Sequence, residues 1–321
     1  MQIVVTGSIA FDYLMYFPGK FSDHFLPDKL DRISVSFLVD SLKKQRGGVA
    51  ANIAYSLALL GERPLLLATA GKDFGPYRDD LESVGVDTSG VKEFREEYTA
   101  SFFVSTDQVR NQIASFYSGT MRFAERLSLK SFKKAEIALV VISPNDPRAM
   151  MKLTAECQER ALPFIFDPSQ QIPRLNGQEL REGARGSRMV VLNDYELALF
   201  KKKTGLSDEE MLDLSETVVV TMGEEGSVVR TKEGVVEIPI AQPERVEDPT
   251  GVGDAYRAGL MKGVVHGLPW EIAGRMGSLA ATYVLETDGP QNHSYTLKAF
   301  VERYCRVFGE SEEMRRLLRD R

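Results

Sequence analysis

Glu247-Asp248-Pro249-Thr250-Gly251-Val252-Gly253-Asp254-Ala255-Tyr256-Arg257-Ala258-Gly259-Leu260 sets the frame for the rest of the chain. Two glycines stand two apart, an acid follows at once, and the run after it can be helical, with Ala255, Ala258, Leu260 and Met261 apolar. The first N–H groups of a helix have no internal partners and carry partial positive charge. Gly251 and Gly253 let the backbone come close to an anion, so the turn Gly251-Val252-Gly253 can cradle phosphate with main-chain donors alone. Asp254 would repel a phosphate in the ground state. It has a use there if it takes the proton from a hydroxyl that attacks phosphorus. The competing reading is an ordinary helix N-cap, a position aspartate favours. The length and specificity of the loop weigh toward the chemical reading.

The chain has 321 residues, 43% hydrophobic and 27% charged, enough for one large α/β unit with an insertion. Its net charge of −6 argues against the basic surfaces that nucleic acid or anionic membrane would require. Cys157 and Cys305 form no disulfide framework or metal pattern, and His24, His266 and His293 lack ligand spacing. A hydrolytic metal centre and a histidine-based triad are therefore not expected. No apolar stretch reaches the length of a membrane span, and Met1 to Thr6 runs straight into a strand-like segment, so a cytoplasmic setting is expected. No Gly-x-x-x-x-Gly-Lys-Ser/Thr sequence occurs, nor the protein-kinase signature set. A dinucleotide fingerprint is missing too, since Gly7 stands alone and Tyr256 occupies the third-glycine place after Gly251 and Gly253.

Apolar runs at 64–70, 137–143, 163–167, 188–193 and 217–222 alternate with helical stretches such as 147–160 and 194–203. This pattern predicts a mostly parallel sheet covered on both faces. Segments 226–231 and 234–240 read as an edge hairpin. Segments 33–38, 99–104 and 112–117 alternate at period two without helical crossovers, which predicts a small antiparallel β-sheet set apart from the main one, a lid. Residues 17–31 read as irregular, and 310–321 as a charged, solvated helix. The division expected is 1–10, 41–95 and 120–321 for a large nucleotide-binding and catalytic part, with 11–40 and 96–119 forming the lid.

Polar residues at strand ends are the candidates for ligand contact, because ligands of parallel sheets bind beyond the carboxyl ends of strands. Asp12 follows the first strand and could accept from vicinal hydroxyls, or be a turn residue. Gly47 and Gly48 precede a helix running to Leu60, with Asn52 one turn in. Asn193 and Glu196 sit three apart across a helix start, which on spacing alone is an ordinary cap. Thr221, Gly223 and Gly226 could be only a hairpin turn, and Gln170 and Gln171 only surface amides.

The segment from Asp248 to Gly259 resembles the C-terminal signature of the ribokinase (PfkB) family of sugar and nucleoside kinases. Arg46-Gly47-Gly48-Val49-Ala50-Ala51-Asn52 is similar to its N-terminal signature, and the two stand in the family's order. The likeness implies a ribokinase-like fold, ATP as phosphate donor and Asp254 as general base in an anion hole of Gly251, Val252, Gly253 and Asp254. It implies a magnesium–phosphate network at Asn193 and Glu196, with Mg²⁺ reached from Glu196 through water, and a nucleotide-side turn at Thr221, Gly223 and Gly226. By analogy, Asp248 and the 287–290 loop are candidates for a monovalent cation such as K⁺.

The segments around 6–12, 17–27, 34–40, 46–52, 112–117, 167–175 and 193–196 resemble the bacterial adenosine kinase branch, with Phe103, Val104 and Ser118 as departures. That resemblance implies adenosine contacts at Ser8, Asp12, Ser36, Gly48, Asn52, Phe102, Phe116, Gln170 and Gln171, besides Asp254. Phe37, Phe102 and Phe116 suit a flat purine better than a bare sugar, but they could equally fill the lid's own core or a homodimer interface through the lid. The expected partners are a small-molecule nucleoside and nucleotide, with no nucleic acid and no membrane. The alternatives are a ribokinase-like sugar or sugar-phosphate kinase, for which Arg46 and Arg110 are available, and a catalytically idle nucleoside-binding regulator.

Overall fold

In the computed structural model, which describes residues 1–319 with the side chains of 28 and 30 aside, the chain enters through β1 (Gln2–Thr6). It then passes into a small sheet as β2 (Ala10–Phe17), returns as β3 (Ser41–Gly47) and continues directly into α1 (Val49–Leu59). After β4 (Leu65–Leu67), β5 (Thr69–Gly71), α2 (Gly75–Ser83) and β6 (Lys92–Phe94) it revisits the small sheet as β7 (Ala100–Asp107) and β8 (Gln112–Tyr117). From there it alternates: β9 (Ile137–Ile142), α3 (Pro147–Arg160), β10 (Phe164–Phe166), α4 (Gly177–Ala184), β11 (Met189–Asn193), α5 (Asp194–Thr204), α6 (Asp208–Leu214) and β12 (Thr217–Thr221). The hairpin β13 (Ser227–Thr231) and β14 (Gly234–Ile238) precedes α7 (Val252–Val265), α8 (Trp270–Leu285), α9 (Leu297–Phe308) and α10 (Glu312–Arg316).

The main sheet has eight strands in the order β14-β13-β12-β11-β10-β9-β1-β4, parallel except for the edge hairpin. Its strands are apolar almost throughout because both faces are covered. Ile3, Val5, Val141, Ile165, Val191 and Val219 pack toward α1 and α7, while Val4, Val140, Phe164, Phe166 and Val190 pack toward the helices of the other face. Helix α7 lies against α8 and α1, and this packing brings its N-terminus to the carboxyl ends of the strands. No helix among the described residues is long and apolar enough to cross a membrane.

The small sheet has the order β3-β2-β7-β8, and it is mixed and not antiparallel as expected, because its central pair β2 and β7 runs parallel between two antiparallel edge pairs. All four strands join the rest of the chain at one end: β2 and β7 begin there at Ala10 and Ala100, and β3 and β8 end there at Gly47 and Tyr117. At the far end Phe17, Phe21, His24 and Phe37 form an aromatic cluster. The buried Asp107 accepts the Phe21 N–H there, so the excursion between β2 and β3 is tied to the β7–β8 turn.

Four further expectations need correction. Segment 33–38 has no ladder; its alternation reflects Phe37 turning into the aromatic cluster, while Ile33 and Leu38 are exposed. The remaining strand of the small sheet is the lysine-bearing Ser41–Gly47, so the small sheet takes in residues assigned to the large part. Run 64–70 divides, β4 joining the main sheet and β5 pairing with β6. The described part of the 310–321 tail is not wholly solvated, since Met314 and Leu317 are buried in the cluster around α8 and α9; residues 320 and 321 lie outside the described range.

Candidate active site

Gly251 is the residue before α7, at φ 81°, a left-handed conformation that glycine adopts freely. A Cβ there would also lie 2.5 Å from Pro290 Cβ, so the loop returning at 290 closes over the turn. The first intrahelical bond shown at this end is Ala255 N–H to the Gly251 carbonyl, 3.0 Å. The amides of Gly253 and Asp254 precede that bond and lie at the positive end of the helix, with Val252 N–H turned back toward Pro249 O at 3.3 Å. Asp254 is therefore the third residue of the helix and not its N-cap. Its Oδ2 accepts from Asn52 Nδ2 at 2.8 Å. Burial raises its pKa to about 7, with Asp167 and Glu196 adding to the rise while Arg257 and Asn52 oppose it. A carboxyl poised near neutrality is suited to proton abstraction.

Arg257, one turn further along α7, is a residue the sequence did not single out. Its Nη1 donates to the Gly253 carbonyl at 3.0 Å, and its Nε and Nη2 lie 2.6 and 2.8 Å from the two carboxylate oxygens of Asp167. Both side chains are buried. The fork fastens the tip of α7 to the end of β10. Glu196 lies 4.0 Å from the same guanidinium. Asn193 and Glu196 form a reciprocal capping box at the start of α5, and Ser169 Oγ donates to Glu196 Oε1 at 3.0 Å. Asn193 and Thr221 are register partners at the ends of β11 and β12. Gly223 and Gly226 form the turn that follows, both at positive φ. These candidates line one edge of the sheet with Asp167.

On the other side, Ser8 accepts the Val49 N–H on its Oγ at 3.1 Å, and its carbonyl faces the Ala50 N–H, so it caps α1 from the preceding loop. Gly48 is at φ 92°, and a Cβ there would lie 2.6 Å from Ser8 O and Ala10 N. Asn52 is buried on α1, where Gln291 Nε2 donates to its Oδ1 at 2.7 Å. Asp12 is not just past β1 but within β2. There it forms a cross-strand row with Gln45 on β3, Phe102 on β7 and, through Phe102, Phe116 on β8. Partners across a sheet share a face, so a carboxylate and two phenyl rings stand side by side. Phe116 is 53% exposed, leaving its ring available for contact. Burial, with Asp248 adding, raises the Asp12 pKa to about 6. Tyr13 and Phe103 stack on the opposite face. Ser36 is exposed and lies outside the ladder, and Phe37 belongs to the distant aromatic cluster, so neither joins this row. Gln170 is exposed, whereas Gln171 is buried and accepts from Arg174.

Asp248 accepts the Thr250 N–H at 2.8 Å and the Gly289 N–H at 3.1 Å, joining the glycine turn to the 287–290 loop. Lys43 and Gln45 on β3 reach Asp288 in that loop. Among the described residues no cluster of three or more His, Cys, Asp or Glu could cage a metal. A Mg²⁺ that arrives with a nucleotide keeps several waters and needs only one or two carboxylates, and Glu196 fits that requirement. Gln291 and Tyr77, like Arg257, were not singled out in the sequence; the Tyr77 hydroxyl is joined to Gln291 and to the Gly47 carbonyl. Their one signal is a glutamine directly after the Gly289-Pro290 turn.

Residues 6–297 match the pfkB family carbohydrate kinase description. A nucleoside kinase of Methanocaldococcus jannaschii is 30% identical over 94% of this chain and 96% of its own. The solved structure of Burkholderia thailandensis nucleoside kinase in complex with inosine is 35% identical, has a TM-score of 0.86 and covers 96% of this chain and 98% of its own. The complex of that enzyme with ADP-inosine superposes with a TM-score of 0.81 at 36% identity, covering 96% of each chain.

Proposed function

The chain belongs to the pfkB family of carbohydrate kinases, and we propose that it transfers the γ-phosphoryl group of ATP to the 5′-hydroxyl of adenosine, giving AMP. One observation carries this reading: the Asp254 carboxylate, pKa about 7, stands at the same helix tip as the Gly253 and Asp254 amides. A base for the attacking hydroxyl and donors for the phosphoryl oxygens are thereby a residue apart.

Asp12 and Asn52 hold the ribose hydroxyls. Phe102 and Phe116 form the shelf for the base, with Ser8, Gly48, Gln170 and Gln171 completing the acceptor side. Asp254 takes the proton of the 5′-hydroxyl as its oxygen attacks phosphorus, and the turn 251–254 stabilises charge on the transferring group. Thr221, Gly223 and Gly226 border the nucleotide, and Asn193 and Glu196 would hold Mg²⁺ through its waters, where it would supply neutralisation of phosphate charge. Asp248 is the anchor at which a monovalent cation would join the two loops it already connects. Closure of the small sheet excludes water and limits idle ATP hydrolysis.

A nucleoside acceptor is supported by the Asp12, Phe102, Phe116 row and by the nucleoside kinases among the relatives. Inosine is the second reading, favoured by its presence in the Burkholderia complex. ADP release with ATP and Mg²⁺ over adenosine, inosine, guanosine, ribose and fructose 6-phosphate separates these readings. Adenosine should give the highest kcat/KM, and preference for ribose or fructose 6-phosphate would overturn the nucleoside assignment. Asp254→Asn should bind nucleotide normally and lose about 10²- to 10⁴-fold in kcat; parental turnover would remove Asp254 from the chemistry.

A further inference from the structure

Behind Asn52 runs a buried line of hydrogen bonds through Gln291 and Tyr77, two residues with no part in the reaction above. Asn52 Nδ2 donates to Asp254 Oδ2 at 2.8 Å, and its Oδ1 accepts from Gln291 Nε2 at 2.7 Å. Gln291 Nε2 also donates to the Tyr77 hydroxyl, which donates to the Gly47 carbonyl at 2.9 Å. Gln291 is 3% exposed and Tyr77 1%, so water does not compete for these groups.

The direction of the line is fixed from its far end. A backbone carbonyl can only accept, so it takes the single proton of Tyr77. The Tyr77 oxygen must then accept, which turns the N–H₂ end of Gln291 toward it and toward Asn52. Asn52 answers with its oxygen and is left with its N–H₂ end facing Asp254. An amide can otherwise present either end at little cost in shape.

We infer that Gln291 and Tyr77 are positioning residues that set the polarity of Asn52, so that the base always faces a donor. The inference rests on the reading of Asp254 as the base. The groups acting on Asp254 are Arg257 on its own helix, Asp167 at the end of β10, Glu196 at the start of α5 and Asn52 on α1. Arg257 and Asn52 favour its ionised form, while burial and the two carboxylates oppose it. If Asn52 loses its set direction, Asp254 binds its proton more tightly.

The test uses Gln291→Met, which keeps the bulk and removes the donor, and Tyr77→Phe, which keeps the ring. Steady-state kinetics with the preferred nucleoside, ATP and Mg²⁺ are measured across pH 5 to 9, with Asp254→Asn as reference. Gln291→Met should lower kcat about tenfold, as for loss of one buried hydrogen bond, and move the acid limb of kcat/KM to higher pH with KM for ATP unchanged. Tyr77→Phe should move the limb the same way by less, and the double variant should be no worse than Gln291→Met alone. An unmoved acid limb in both single variants, or losses that multiply in the double variant, overturns the inference. Should Gln291→Met fail to fold, the limb in Tyr77→Phe decides alone. If Asp254→Asn is inactive while both variants behave as parent, only the positioning role falls; if Asp254→Asn turns over normally, the base reading itself falls.

Discussion

Asp254 is held in the folded chain at a cost that depends on pH. Its pKa rises from 3.8 to about 7, so the folded state binds the proton more tightly than the unfolded one. The stability linked to that proton is complete below about pH 4 and is lost as pH rises through 7. Asp254→Asn removes this penalty. Its melting temperature should equal that of the parent near pH 4 and exceed it at pH 8, and an unchanged difference across that range would contradict the shift. Such a gain in stability on removal of a reactive group is the usual trade between activity and stability. Asp254 was legible in the sequence because glycine spacing and a following helix are local signals. Arg257, Gln291 and Tyr77 were not, because their partners lie far along the chain: Asp167 is 90 positions from Arg257, and Tyr77 is 214 from Gln291. No local pattern encodes a contact of that kind.

At the level of elements, the parallel strands could be read because burial on both faces leaves unbroken apolar runs. The Pro147–Arg160 helix was read to the residue, since proline starts it and Asp146 caps it. The strand Ser41–Gly47 escaped because it is half-exposed and carries Lys43, Lys44 and Arg46, a composition that suits an edge strand and resembles a loop. The alternation at 33–38 was real but recorded aromatic packing, which a ladder and a cluster can both produce. The row from Asp12 through Phe102 to Phe116 became visible only once register was known. It yields a prediction that separates binding from folding. Phe116 is 53% exposed, so Phe116→Ala should leave stability within about 0.5 kcal/mol. It should weaken the nucleoside by roughly 1–3 kcal/mol, as for a lost stacking partner, with KM for ATP unchanged. A nucleoside KM equal to that of the parent would free the ring from that role.

For the molecule as a whole, the alternation of strands and helices and the separate small sheet followed from the sequence, but the fastening between them did not. The Arg257–Asp167 pair joins the last third of the chain to the centre of the main sheet. Arg257→Met leaves Asp167 buried without its partner, which should destabilise the protein by about 3–5 kcal/mol, measured by urea denaturation. Combining it with Asp167→Asn should recover part of the loss. An additive double variant would mean that the two side chains act separately.

The four crossings of the small sheet lie along a single line through Gly47, Ala10, Ala100 and Tyr117. A tilt about this line would have to release Lys43 and Gln45 from Asp288. Asp12 and Phe102 are two residues from the line, a radius of about 7 Å, so a swing of ten degrees would carry them by only about 1 Å. The aromatic tip at Phe17 sits some three times further out and would sweep correspondingly more. Such a swing would open the rim while Asp12 and Phe102 scarcely moved.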